Sequence, residues 1–369
     1  MANNLLTGGV LETVWSVVLA IIILLAMITV HEFGHYVAGK ALGFGISEFS
    51  IGFGPALFKR KSKKSGEIFA VRALPLGGYC AFEGEDEEAG GERAFNNQHP
   101  LKRIVVLVAG ATFNYLLALV LIIISAFAFG QTAYCINSVA QSEDYPAQYS
   151  LRDGDVLISL EGNDIYLATD IIGALKGKNE GEIVTAGVLR GGERASAEIM
   201  LRADCHFENS SQVSLALRAL GVGTYTTDEG AFYDLSTVSC KFGFWESLGR
   251  SFMYSFKVAG TIFTVIGELL TGNLSITAVG GPVTTIKLTS EMAAQGLNSF
   301  LVIAAYIGVN LAVFNLLPIP ALDGSKVIFC LIEWVFRKPV PRRIEAVIHV
   351  IGFVLILGFA VLVDILQFL

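Results

Sequence analysis

Four stretches of this chain are apolar for long enough to cross a bilayer. Val14 to Val30 reads VWSVVLAIIILLAMITV, and a second stretch runs from Ile104 to Phe129, interrupted only by weakly polar residues and Asn114. A third extends from about Phe300 to Leu317 and a fourth from about Ile344 to Leu369. A transmembrane helix needs about 20 mostly apolar residues, which the first and third only just supply. Phe242 to Leu270 is also apolar but carries Glu246, Arg250, Lys257 and Glu268. Charge at bilayer depth is costly, so this stretch is expected to lie at the interface as an amphipathic helix.

Between the second and third apolar stretches the pattern changes to short alternations broken by Gly, Asp and Asn. Leu151 to Asn163 reads as turn, strand, turn, followed by a helical stretch near Thr169 to Leu175. A strand from Ile183 to Arg190, the turn Gly191-Gly192 and a strand from Ala195 to Leu201 complete a small α+β unit. The Gly154-Asp155 pair within this order of elements resembles a PDZ domain, a fold that binds extended peptide at a sheet edge.

Basic residues orient the spans. Lys59-Arg60-Lys61-Ser62-Lys63-Lys64 lies between spans one and two, and Arg337 to Arg343 between spans three and four. By the positive-inside rule both loops are cytoplasmic, which places the N-terminus, the region from Gln131 to about Phe300 and the C-terminus outside. The fold expected is a polytopic α-helical membrane protein of about four spans with an inserted PDZ-like domain. Its parts are residues 1–130 (first half of the membrane core), 131–203 (PDZ-like), 204–298 (linker and interfacial helix) and 299–369 (second half).

Composition supports that picture. The 369 residues are 53% apolar and 16% charged, with a mean hydropathy of +0.60. A net charge of -7 and a pI near 5.4 give no reason to expect nucleic-acid binding. The five cysteines show no Cys-x-x-Cys spacing; Cys135 and Cys205 flank the inserted unit and could pair if it is extracytoplasmic. The first apolar segment has no basic n-region or small-residue cleavage site, so it is expected to be retained.

Candidate chemistry sits at the end of that first segment. His31-Glu32-Phe33-Gly34-His35 places two imidazoles four residues apart, on one helical face. Both can bind one zinc ion, with Glu32 beside them as a candidate general base. A catalytic zinc needs a third protein ligand, and Asp323 in NLLPIPALDG (315–324) is the best candidate. Pro318 and Pro320 forbid a regular helix there, and non-helical backbone at membrane depth survives only when buried or facing a cavity. A carboxylate in that position needs a cation. Span three runs from outside to inside, which brings Asp323 to the cytoplasmic depth of His31 and His35.

With HEFGH, a PDZ-like insert between spans two and three, and NLLPIPALDG in this order, the chain resembles the bacterial intramembrane zinc metalloproteases of the site-2 protease family, RseP/RasP branch. Gly52-Phe53-Gly54-Pro55, Leu74-Pro75-Leu76-Gly77-Gly78-Tyr79, and Val108-Ala109-Gly110 with Asn114 extend the likeness. The resemblance implies Zn²⁺ on His31, His35 and Asp323 and substrate contacts at Asn315, Gly52, Phe53, Gly54 and Asn114. Residues 44–80 would form the family's membrane-reentrant β-hairpin. Its substrates would be single-pass membrane proteins, already trimmed outside the membrane, such as anti-sigma factors or remnant signal peptides, in the bacterial cytoplasmic membrane. Departures are Ala111 where the branch usually has Pro, and Ser325-Lys326 where a second Gly is common. Two other readings stay open: a non-catalytic PDZ-bearing adaptor with structural zinc, and a metal transporter using Glu345, His349 and Asp364.

Overall fold

The apolar runs become helices, because without water a backbone must satisfy its own hydrogen bonds. The computed structural model describes residues 2–85, 91–141, 143–227, 230–276 and 279–368. In chain order it contains α1 (Ala2–Leu42), β1 (Ile46–Lys61), β2 (Ile68–Phe82), α2 (Pro100–Phe129), β3 (Gln131–Ile136), β4 (Asp155–Leu160), β5 (Asn163–Asp164) and α3 (Ala168–Leu175). There follow β6 (Ile183–Arg190), β7 (Glu193–Met200), α4 (Val213–Ala219), β8 (Thr224–Thr227), β9 (Gly230–Tyr233) and β10 (Leu235–Cys240). Helices α5 (Phe244–Thr271), α6 (Pro282–Ala294), α7 (Leu297–Leu316), α8 (Asp323–Phe336) and α9 (Arg342–Phe368) complete the chain.

Among the described residues, 5 helices are long and apolar enough to cross a membrane, as a polytopic membrane protein requires. They lie in α1, α2, α5, α7 and α9, one more than the four stretches picked out along the sequence. The additional one is α5, and the structure shows how it carries its charges. Arg250 pairs with Asp164 at 3.2 Å, Lys257 with Asp170 at 2.7 Å, and Glu246 with Arg194. Glu268 accepts the Ser210 N–H and hydroxyl, both at 2.7 Å. A charge count along the sequence cannot foresee partners that lie 50 or more residues away in the chain.

The chain divides into two compact units, residues 1–122 with 277–369, and residues 123–276, the boundary falling inside α2. In the first unit, Ile23 and Met27 of α1 pack with Ile303, Ala304 and Ile307 of α7. Small residues allow the close approach that helices in lipid depend on. A Cβ on Gly34 would lie 2.5 Å from the Ala109 carbonyl oxygen, so α1 and α2 touch backbone to backbone there. Gly43, at φ +83°, ends α1 and turns the chain into β1. The base of the β1–β2 hairpin is then held by a cluster of Phe44, Ile46, Phe82, Phe95, Val106, Leu107 and Cys330, which joins it to α2 and α8. Lys40 near the end of α1 pairs with the buried Glu67 of the hairpin turn.

The second unit is built on an antiparallel sheet of order β10-β3-β4-β6-β7, with β5 paired to β4. Strand β6 and helix α3 occupy almost the spans expected from the alternation. Leu157, Leu160, Ile171, Leu175, Val184 and Ile199 form its core. Asp155 is fully buried and accepts two hydrogen bonds from Arg190, each 2.7 Å, and one from the Arg152 N–H at 2.9 Å. Leaving a buried carboxylate unpaired costs about 3–5 kcal/mol, so this pair fixes how β4 meets β6. The core continues past residue 203: Cys205, Phe207, Ala216, Leu217, Leu220 and Val222 belong to it, and β10 adds the edge strand next to β3. The fold therefore draws in much of the stretch expected to be a linker. Cys135 and Cys205 are both free thiols, Cys205 within the core, so the pairing considered for them is not formed.

Candidate metal centre

His31, Glu32 and His35 lie on the last three turns of α1, where i, i+4 spacing sets both imidazoles on one face. Asp323 arrives from the other half of the sequence. Helix α7 stops at Leu316 because Pro318 and Pro320 cannot donate to a helical ladder. Leu317 and Leu322 are extended, Ala321 takes φ +76°, and Asp323 becomes the first residue of α8. The left-handed backbone costs an alanine about 1–2 kcal/mol.

The geometry brings the three candidate ligands together. His31 Nε2 lies 2.9 Å and His35 Nε2 3.3 Å from Asp323 Oδ2, and the two Nε2 atoms are 3.1 Å apart. One ligand atom from each falls within 4.8 Å of the others, and both imidazoles are buried. Bonds of about 2.0–2.1 Å in a tetrahedron put neighbouring ligand atoms about 3.3 Å apart, so these two nitrogens and one oxygen fit zinc in both kind and spacing.

Neighbouring groups orient the imidazoles. His35 Nδ1 lies 2.8 Å from the Val106 carbonyl, to which it donates, leaving the Nε2 lone pair directed at the cluster. His31 Nδ1 contacts the Asn315 side-chain amide at 3.4 Å. The atom facing His31 there is Asn315 Nδ2; a 180° turn of the amide would let its oxygen accept the Nδ1 proton and set the same tautomer. Gly110 is required by proximity: a Cβ there would sit 2.5 Å from His35 Nε2 and 2.8 Å from His31 Cε1.

Glu32 is held by the hairpin, its Oε2 accepting the Cys80 N–H of β2 at 3.0 Å. A Cβ on Gly78 would contact Glu32 Cγ at 3.4 Å and the Ser50 carbonyl at 2.9 Å, so the two hairpin backbones and the Glu32 side chain crowd here. Ile51 pairs with Gly78, and beyond it β1 bulges through Gly52, Phe53 and Gly54. Gly52 and Gly54 have φ of +84° and +83°, and a Cβ on Gly52 would lie 2.7 Å from the Leu74 carbonyl. Phe53 is half exposed and stacks on Tyr79.

Asn114 stands one turn beyond Gly110 on α2, fully buried, with neither side-chain polar atom hydrogen-bonded to a described residue. Lys326, one turn into α8, pairs with Glu85 at 2.8 Å. Burial opposes its charge, yet that carboxylate holds the ammonium above its ordinary pKa. Sequence reasoning did not place Val106, Cys80 or Lys326 around the site. The first two act through backbone groups, which every residue possesses and no motif marks.

A family model described as peptidase family M50 matches residues 19–359. The chain is 33% identical over 353 residues to a candidate zinc metalloprotease of Clostridium perfringens, covering 95% of this chain and 97% of the relative. Similar proteins with the same description occur in Fusobacterium nucleatum (31% identical, 94% and 96% covered) and Nostoc (31%, 94% of each).

Proposed function

The chain belongs to peptidase family M50, the site-2 protease family, and is a metalloprotease; from this premise we propose that it is a zinc-dependent endopeptidase cutting transmembrane segments of single-pass membrane proteins. The observation that carries the proposal is the convergence of His31, His35 and Asp323 beside Glu32 at the end of an apolar helix. Those three side chains would hold the zinc, which when bound supplies the Lewis acidity that polarises the scissile carbonyl and acidifies water. Glu32 takes the proton of the attacking water and delivers it to the departing amine. The Cys80 N–H holds the carboxylate in one orientation for both transfers. Structural zinc has no use for such an anchored carboxylate, which counts against a non-catalytic adaptor.

A transmembrane substrate hides its peptide bonds in its own helix and must be unwound before attack. We assign the holding of the unwound segment to the β1 bulge. A strand edge next to Glu32 can pair with extended substrate backbone, and Gly52 and Gly54 leave room for it. Asn315 orients His31 and is close enough to meet a substrate carbonyl as well. Asn114 offers a substrate backbone group a buried amide that, among the described residues, has no hydrogen-bond partner. Gly54→Leu should lower cleavage by roughly 10-fold, as about 1–2 kcal/mol of left-handed strain would require, with zinc content unchanged. Full activity in this variant would remove the bulge from substrate handling.

The sheet order with α3 supports a PDZ-like domain, and the edge strand β10 suits recognition or gating of trimmed substrates. Helix α5 buries Ser247, Arg250, Ser251 and Ser255 and exposes Phe244, Trp245, Phe252, Phe256 and Phe263, which supports a place at the membrane interface. The basic runs and the bacterial relatives support the bacterial cytoplasmic membrane, with the zinc centre on the cytoplasmic side. Incubating the purified chain with a trimmed single-pass substrate tests the whole reading. A chelator should abolish cleavage and stoichiometric zinc restore it; cleavage that survives complete metal removal would refute it.

A further inference from the structure

The turn that presents Asp323 is not self-supporting. Ala321 adopts a backbone that L-residues rarely take, between Pro320 and the first turn of α8. Such a conformation persists only where surrounding contacts over-determine it. Helix α9 provides two of them. His349 Nδ1 accepts the Ala321 N–H at 3.0 Å. One turn further on, Gly352 lies so close to Pro320 that a Cβ would meet its carbonyl carbon and oxygen at 2.7 Å.

A ring nitrogen that accepts an amide proton is itself unprotonated, so the ring hydrogen is on Nε2. That atom faces Glu345 Oε1 at 3.8 Å, one turn back along α9, and the ring meets Phe329 of α8 edge to face. His349 is thus placed by its own helix and by α8, with its acceptor aimed at the turn.

We propose that His349 is a positioning residue for the metal centre, its bond to the Ala321 N–H holding the turn that carries Asp323 to His31 and His35. The inference rests on the assignment of Asp323 as a zinc ligand. Sequence alone suggested at most a proton relay for His349, or a solvated helix end.

Zinc affinity of the detergent-purified full chain, measured by chelator competition, tests the proposal alongside cleavage. His349→Ala should weaken zinc binding by about 10–100-fold, the usual effect of removing an outer-shell support. His349→Asn puts an acceptor oxygen where Nδ1 lies and should recover most of that loss, whereas His349→Gln, whose oxygen falls near the Nε2 position, should not. Adding Ala321→Gly to His349→Ala should also recover affinity, because glycine takes positive φ without strain. Wild-type affinity in His349→Ala, or equal affinities in the Asn and Gln variants, would overturn the proposal. If His349→Ala does not fold, the Asn and Gln comparison decides. Asp323→Ala serves as the control: wild-type affinity there would mean that the ligand assignment has failed, not the role of His349.

Discussion

Glu32→Gln is expected to lower cleavage of a trimmed single-pass substrate by about 10²–10⁴-fold, the usual worth of a positioned acid–base group. Glutamine keeps the shape of the side chain, and its amide oxygen can still accept the Cys80 N–H that holds Glu32 Oε2 at 3.0 Å. It cannot take up a proton. His31, His35 and Asp323 are untouched, so zinc content should equal that of the wild type. Quantifying the product fragments and the bound metal on the same preparations separates the two effects. Loss of zinc together with activity would make Glu32 a structural element of the centre. Equal cleavage by both proteins would remove HEFGH from the chemistry altogether.

Asp323→Ala should act one step earlier, weakening zinc binding by at least about 100-fold and taking cleavage to background. Two imidazoles 3.1 Å apart remain, one ligand short of a catalytic zinc site. The carboxylate is also the negative charge of the set, and an uncompensated divalent cation among apolar helices is disfavoured. Chelator competition reads the affinity directly. Retained affinity would show that another group completes the site, and the convergence of Asp323 on both histidines would need a different explanation.

These two variants probe the part of the site that was legible beforehand. Helical periodicity alone placed His31 and His35 on one face, and the cost of an unpaired carboxylate near the membrane singled out Asp323. The sheet unit was legible where alternation was strong, as at Ile183–Arg190. It was not legible from residue 204 onward. Strand β10 follows a hairpin of its own, and only pairing with β3, about 100 residues earlier, assigns it to the sheet. Helix α5 was read by its charges, whose partners on the sheet unit and in the 204–212 segment leave no mark along the helix itself.

Local pattern therefore determined which segments are apolar enough for a membrane, that His31 and His35 share one helical face beside Glu32, and that a break after α7 precedes Asp323. Those properties depend on neighbours within one or two helical turns. The tertiary structure alone decided how the site is held: the Val106 carbonyl on His35, the Cys80 amide on Glu32, Asn315 on His31, and His349 on the strained turn at Ala321. Each of these contacts joins groups that are 28 or more residues apart, and three of them use backbone atoms common to every residue. Their directions follow from how helices and hairpin pack, which no local spacing encodes.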